Sequence, residues 1–340
     1  MSASSRRAGL EGVPLGEGLR SALSESARDR TSAARDVVLE AAAVLHEWLA
    51  DRDESFGTAV DAGAIEQGLS DWIQAHGWRG ACARFVDSIR RTWHGSHARD
   101  DLDPRSALLE ELGLWTWTTP ELLGAPFWDG TPLGAGPRLA FEDEILRATR
   151  GRLERGHVVC VHGYSDRVAS ALEAAQREGL EPEALVSEGG ADGSGRRLAR
   201  RLAKAGVSVS LCYDAALSDA APRADRIWLG TEAIGADAFL GRVGTRRLLE
   251  EATRHGVPVE LIAAGDDLVP GGRLELPAWC EAEPWLLWEY APHGVRLETQ
   301  LYEKVSLDGI TTCLTEAGEE SPTQFHLRAL RTETARRLDV

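Results

Sequence analysis

Five short segments carry the residue types that anion chemistry needs. They are His162-Gly163-Tyr164-Ser165-Asp166, Glu188-Gly189-Gly190-Ala191-Asp192-Gly193-Ser194-Gly195, Asp214-Ala215-Ala216, Gly230-Thr231-Glu232-Ala233 and Gly241-Arg242-Val243-Gly244-Thr245-Arg246. Glycine lets backbone N–H groups come close to an anion, and a guanidinium fork matches phosphate or carboxylate. Ser165 or Asp166 suits the cap of a following helix. Taken singly, each segment also fits plain capping and turn chemistry. Converging on one sheet edge, the five form an anion pocket with Arg196 and Arg242 as clamps. The glycine-rich segment at 188–195 is not a dinucleotide fingerprint, because it follows the second strand of its unit.

The elements that must position these segments are legible from hydrophobic pattern. Apolar runs at 157–161, 184–188, 207–212, 226–230 and 257–264 read as strands, and 310–318 as a further strand and turn. Between them, DRVASALEAAQREG, GRRLARRLAKAG and GTRRLLEEATRHG read as helices, each stopping at glycine. Strands apolar on both faces imply a parallel sheet covered by helices, and the alternation implies a doubly wound, mostly parallel, Rossmann-like α/β domain at 139–340. Ligands of such sheets sit outside the carboxyl ends of the strands, where the five segments fall.

Upstream, Ser21 to Ala50, Ile65 to His76, Ala81 to Trp93 and Leu108 to Leu114 are helical in pattern, with Gly77 and Gly95 as helix stops. These define an N-terminal helical domain. It continues through a Trp-, Pro- and Gly-rich connection at 115–138, so the second expected unit is 21–138. Residues 1–20 are expected to be a flexible arm, and 97–106 a turn. Trp279, Trp285 and Trp288 lie in a segment, 269–297, that suits a lid or an oligomer contact.

Composition narrows the classes. The chain has 340 residues, 43% hydrophobic and 27% charged, which is ordinary for a globular protein. A formal charge of −16 argues against nucleic acid as a partner. Lys and Arg total 38, and only Lys204 and Lys304 are lysines, so anions would be handled by arginine and a Schiff-base lysine has few places to be. Five scattered cysteines without CxxC spacing argue against disulfides and zinc, and His94-Gly95-Ser96-His97 is a poor metal site. No metal or cofactor is expected. No long apolar run spans a membrane, and Arg6 and Arg7 lack the apolar stretch of a signal peptide, so the expected compartment is the cytoplasm.

The ordered set HGYSD, SEGGADGSGRR, YDAAL, GTEAI, GRVGTRR and VPVELIAA, with the ending LYEKVSLDGITTCLTEAG, resembles one family over about residues 141–320. It contains the alpha, beta and delta subunits of eukaryotic translation initiation factor 2B, with methylthioribose-1-phosphate isomerase and ribose-1,5-bisphosphate isomerase as relatives. The family pattern runs T-H-(S/C)-x-S, E-S-R-P-x-x-x-G-(R/K), D-A-A, G-A-(D/E) and N-K-I-G-T. The helical domain has no counterpart of the family's arginine–glycine–alanine segment.

The resemblance implies a cysteine after the histidine of the first motif and an aspartate at the end of the fourth, serving as acid and base in the isomerases. Here those positions are Gly163 and Glu232. The family's Arg-Pro becomes Gly190-Ala191, and its Asn-Lys becomes Gly241-Arg242. Cys160, three residues before Gly163, faces the other side of its strand and is expected to be buried.

Two readings follow. In the first, a degenerate isomerase pocket binds a small phosphorylated metabolite, a sugar phosphate or nucleotide, in a regulatory or scaffold role. In the second, the chain is an active aldose–ketose isomerase with Glu232, Asp214 and His162 as acid/base residues. Either way the expected phosphate contacts are Ser165, Gly193, Gly195, Arg196, Arg242, Gly244 and Thr245. The resemblance also implies a homodimer through the α/β domain.

Overall fold

The computed structural model describes residues 15–26, 34–50, 52, 56–76, 80–98, 103–116, 142–276 and 280–330. Most of the expected arm, the connection from 117 to 138 and Trp279 lie outside the described residues. The chain divides into two compact units, one of Met1–Ala140 with Glu333–Val340 and one of Phe141–Thr332.

The first unit is helical: α1 (Leu15–Ser26), α2 (Ala34–Ala50), α3 (Ala59–His76), α4 (Gly80–His97) and α5 (Pro104–Thr116). Their apolar stripes meet in one core built around Leu45, Trp72, Phe85 and Trp115. Among these helices Arg90 and Glu66 form a buried ion pair, with Arg90 Nε donating at 3.0 Å. Gly95 does not stop its helix. α4 continues to His97, whose ring packs on Trp93 at 4.4 Å and bonds to the Gly57 carbonyl at 3.1 Å. Those contacts outweigh the roughly 1 kcal/mol that a mid-helix glycine costs. The expected turn at 97–106 ends earlier, because Asp103 accepts from Ser106 N–H at 2.8 Å and caps α5. The Ser106 hydroxyl also donates to Asp103, at 2.6 Å, and is the chief cause that lowers the Asp103 pKa.

In the second unit β1 (Val158–Val161), β2 (Glu183–Ser187), β3 (Ser208–Cys212), β4 (Arg226–Leu229), β6 (Val259–Ile262), β8 (Thr312–Thr315) and β9 (Gly318–Glu320) form one sheet in the order β3-β2-β1-β4-β6-β8-β9. All pairs are parallel except β8 with β9. The helices are α6 (Glu142–Thr149), α7 (Asp166–Arg177), α8 (Ser194–Lys204), α9 (Asp214–Ala220), α10 (Thr245–His255), α11 (Pro284–Leu287), a single exposed turn with no buried residue, and α12 (Pro322–Leu330).

Alternate residues of β1 feed opposite layers. Cys160 packs in one apolar cluster with Ile227, Leu261 and Leu248, and Val159 and Val161 in the other with Leu172 and Leu198. The strand order reverses between β1 and β4, so the loops at 162–165 and 230–233 flank the switch point where open α/β sheets hold ligands.

Two features differ from expectation. β3 is not apolar on both faces: it is the sheet edge, and Ser208, Ser210 and Leu211 are exposed. Residues 241–242, expected as part of a helix start, end a strand β5 (Ala238–Arg242), which pairs antiparallel with β7 (Tyr302–Ser306) in a separate ribbon. At the amino ends of β4 and β6, fully buried Glu260 is held by Arg152, by Arg226 at 2.9 Å and by Trp228 Nε1 at 2.6 Å. Trp228 is thereby committed to the core and does not plug the opposite, carboxyl edge.

Candidate functional site

At the carboxyl edge lies a cavity of about 600 Å³ whose lining includes His162, Asp214, Arg242 and Gly244. Four sequence-predicted residues therefore converge. His162 directly follows β1 and is buried. Its Nε2 lies 3.0 Å from the Val243 carbonyl, which only accepts, so Nε2 carries the proton. Nδ1 then accepts from the Ser187 hydroxyl at 2.8 Å. Burial lowers the pKa of this imidazole, against the Val243 hydrogen bond, which raises it. His162 is a neutral ring with both nitrogens engaged, which makes it a positioning group more than a proton carrier.

Gly163 adopts φ +84°, and a Cβ built there would lie 2.6 Å from Cγ of Arg242. The aliphatic stem of Arg242 thus occupies the space beside Gly163. Its guanidinium reaches Asp192 through Nη1 at 3.0 Å and Nη2 at 2.8 Å, and stands 4.9 Å from the ring centre of Tyr302. Burial works against this charge, but Tyr302 and Asp192 outweigh it and the pKa is raised.

Asp214 opens α9 and accepts the Gly189 N–H at 2.8 Å. Gly244, at φ +103°, begins α10 beside His162 Nε2, and its N–H goes to Glu303 at 3.0 Å.

The other predicted residues do not line this cavity. Ser165 caps α7, accepting from Val168 N–H at 3.4 Å, and fills the space that a side chain at Gly230 would need. Gly193 is the left-handed N-cap of α8, and Gly195 packs so closely on Ser187 that any side chain would strike its carbonyl. Arg196 points to solvent and pairs with Glu188 at 2.5 Å. Thr245 is buried under Gly241. Glu232 lies within electrostatic reach of Arg167, which binds Asp266 at 2.8 Å and Asp267 at 2.7 Å. Burial raises Asp267 to about 7, with Arg167 opposing and Asp266 adding to the shift.

Sequence reasoning missed Asp192, Tyr302 and Ser187. The signal for Asp192 was an acid between glycines at a helix start. Tyr302 gave none, because β7 was not read as a strand. Burial also raises the pKa of Cys160, so that thiol stays protonated. Among the described residues no His/Cys/Asp/Glu group could hold a metal ion, and no helix is long and apolar enough to cross a membrane.

Comparison with known proteins adds identity. A ribose 1,5-bisphosphate isomerase of Haloterrigena turkmenica is 35% identical over 120 residues, covering 35% of this chain and 37% of that protein. The isomerase of the same name from Haloferax volcanii is 31% identical over 121 residues, covering 35% and 38%. The chain thus spans little more than a third of the length of these curated relatives.

Among solved structures, a Pyrococcus horikoshii protein described as translation initiation factor eIF-2B superposes with TM-score 0.69 at 17% identity, covering 91% of this chain and 98% of that one. The 5-methylthioribose 1-phosphate isomerase of the same organism gives TM-score 0.64 at 16% identity, covering 92% and 87%. At these identities the likeness shows a shared fold. Residues 139–322 match the Initiation factor 2 subunit family, and the chain belongs to that family.

Proposed function

We propose that the chain binds a phosphorylated sugar in the cavity and interconverts its aldose and ketose forms, the reaction class of its isomerase-named relatives. The observation that carries this reading is the meeting of the Asp214 carboxylate, the Arg242 guanidinium and the neutral His162 ring on one cavity at the switch point. Such an isomerisation moves a proton between adjacent carbons, so it needs a base within reach of both, and a carboxylate can serve. Asp214 is that base. Glu232, one loop away, is the second carboxylate that the family pattern marks.

A second reading, a non-catalytic binding or scaffold role, is favoured by one observation. The family's cysteine position is Gly163, and the Arg242 stem fills the space a thiol would take.

One experiment separates the two. Ribose 1,5-bisphosphate and methylthioribose 1-phosphate are incubated with the protein and followed by NMR. Turnover that is lost in Asp214→Asn and Glu232→Gln supports the isomerase. No conversion, with a sugar-phosphate thermal shift that disappears in Arg242→Ala, retires it in favour of binding alone.

The same reading includes a homodimer. Trp285, Leu287, Trp288 and Tyr290 are all at least half exposed around α11, an apolar patch that a second copy would cover. A solved structure of similar fold from C. thermophilum is described as a tetrameric eIF2B-beta2-delta2 complex.

A further inference from the structure

Among the described residues, neither arginine lining the cavity is uncommitted. Arg247 pairs with Glu250 at 3.4 Å and Glu251 at 2.6 Å. Arg242, with only 10% of its side chain exposed, holds both oxygens of Asp192. The lining also carries Asp214, Asp219 and Glu298. A phosphate entering this cavity therefore meets carboxylates, an exposed Arg247 paired along its own helix, and a buried Arg242 whose charge Asp192 already holds.

Asp192 stands where an anionic ligand would stand. Its Oδ1 accepts from Arg242 Nη2 and also from the Ser194 N–H, at 3.0 Å, on the first turn of α8. One carboxylate thus takes a guanidinium fork and a helix N-terminal donor, the pair of groups a phosphate monoester uses. A second observation marks the same turn. The Ser194 hydroxyl is 3% exposed and makes no hydrogen bond, so a buried donor is still unused there. The segment that carries Asp192 is hinged by glycine on both sides, with Gly189 at φ +84°, Gly190 at +51° and Gly193 at +61°. Glycine hinges let such a turn swing at little backbone cost.

We propose that Asp192 is an internal counter-ion that a ligand's phosphate displaces from Arg242, and that it thereby sets the affinity of the cavity for phosphate monoesters and its preference for dianions. A dianion out-competes a monovalent carboxylate for one guanidinium, whereas a ligand carboxylate or sulfate ester gains nothing by the exchange. The proposal rests on the phosphosugar reading of the cavity.

The test is calorimetric titration of inorganic phosphate and of ribose 5-phosphate into wild type, Asp192→Asn and Asp192→Asn/Arg242→Ala. Asparagine keeps the acceptor for Ser194 N–H and removes the charge. Asp192→Ser, which keeps a short acceptor on the turn, covers the case in which the amide disturbs folding, and circular dichroism checks both. The expected result is a gain of about tenfold or more in phosphate affinity in Asp192→Asn, abolished when Arg242 is also removed. Equal affinities in wild type and both single variants overturn the counter-ion role, as does a gain that persists without Arg242. Ribose 5-phosphate binding to wild type with no gain in the variants retires the counter-ion alone. Inorganic phosphate gained by Asp192→Asn while no sugar phosphate binds or turns over keeps the counter-ion and retires the phosphosugar reading.

Discussion

Gly163 and Arg242 share one volume: the Cβ that any other residue would bring to 163 lies 2.6 Å from Arg242 Cγ. The loss of a side chain at one position and the thick stem at the other are two halves of a single packing arrangement. Restoring a side chain at 163 should therefore be costly. Gly163→Ala or Gly163→Cys is expected to lose at least about 2 kcal/mol, from positive φ and from overpacking. Adding Arg242→Ala should recover the overpacking share and leave the backbone share. Denaturant unfolding of the two single variants and the double gives the coupling, and strictly additive losses would contradict the shared volume.

His162 should make stability fall on acidification. Its folded pKa is lowered by burial from 6.5. The stability linked to the neutral ring is present above about pH 6.5 and is lost as pH falls through the folded value, because the unfolded chain takes up the proton first. Melting curves from pH 8 to pH 5 should show wild type losing ground against His162→Gln below pH 6.5. A constant difference would show that the ring titrates normally.

Asp267 works in the opposite direction. Its folded pKa is raised to about 7 from 3.8, chiefly by burial. Stability tied to the protonated acid is complete below about pH 3.8 and is lost as pH rises toward 7. Asp267→Asn keeps an acceptor for Arg167 and for Ala264 N–H, which lie 2.7 and 2.8 Å from Oδ2. The variant should gain on wild type between pH 4 and 7 and run parallel above pH 8, as read by chemical denaturation at each pH.

In the helical unit, Glu66→Gln should cost about 3 kcal/mol by leaving Arg90 buried with a weaker partner. The double change Glu66→Leu/Arg90→Met should cost less than the single one, since neither charge is then stranded. Equal or greater loss in the double variant would mean that the pair contributes through packing instead.

The apolar patch around α11 predicts association. Light scattering at micromolar concentration should give a dimer, and Trp285→Ser/Trp288→Ser should give a folded monomer. A monomeric wild type would leave those tryptophans facing water and remove the homodimer from the functional reading.

The sequence by itself determined the elements and their order. Apolar runs bounded by glycine are local signals, and they sufficed for the parallel strands and for the helices that end at Gly179, Gly206 and Gly256. The edge exposure of β3 was hidden, because a strand's place in a sheet depends on its neighbours and not on its own residues. The β5–β7 ribbon was hidden for the same reason: Arg242 pairs with Tyr302 across a long intervening segment.

The site divides in the same way. That His162 and Asp214 would gather followed from their positions after strands of a doubly wound sheet, whereas Arg242 and Gly244 join them from the end of the separate β5 ribbon. Which proton His162 carries was fixed by Val243, a carbonyl 81 positions away. That Arg242 would spend its charge on Asp192, 50 positions away, was fixed by the glycine turn before α8. Sequence supplied the chemical groups, and tertiary structure decided which charges they already hold, because hydrogen bonds and packing act over ångströms and ignore distance along the chain.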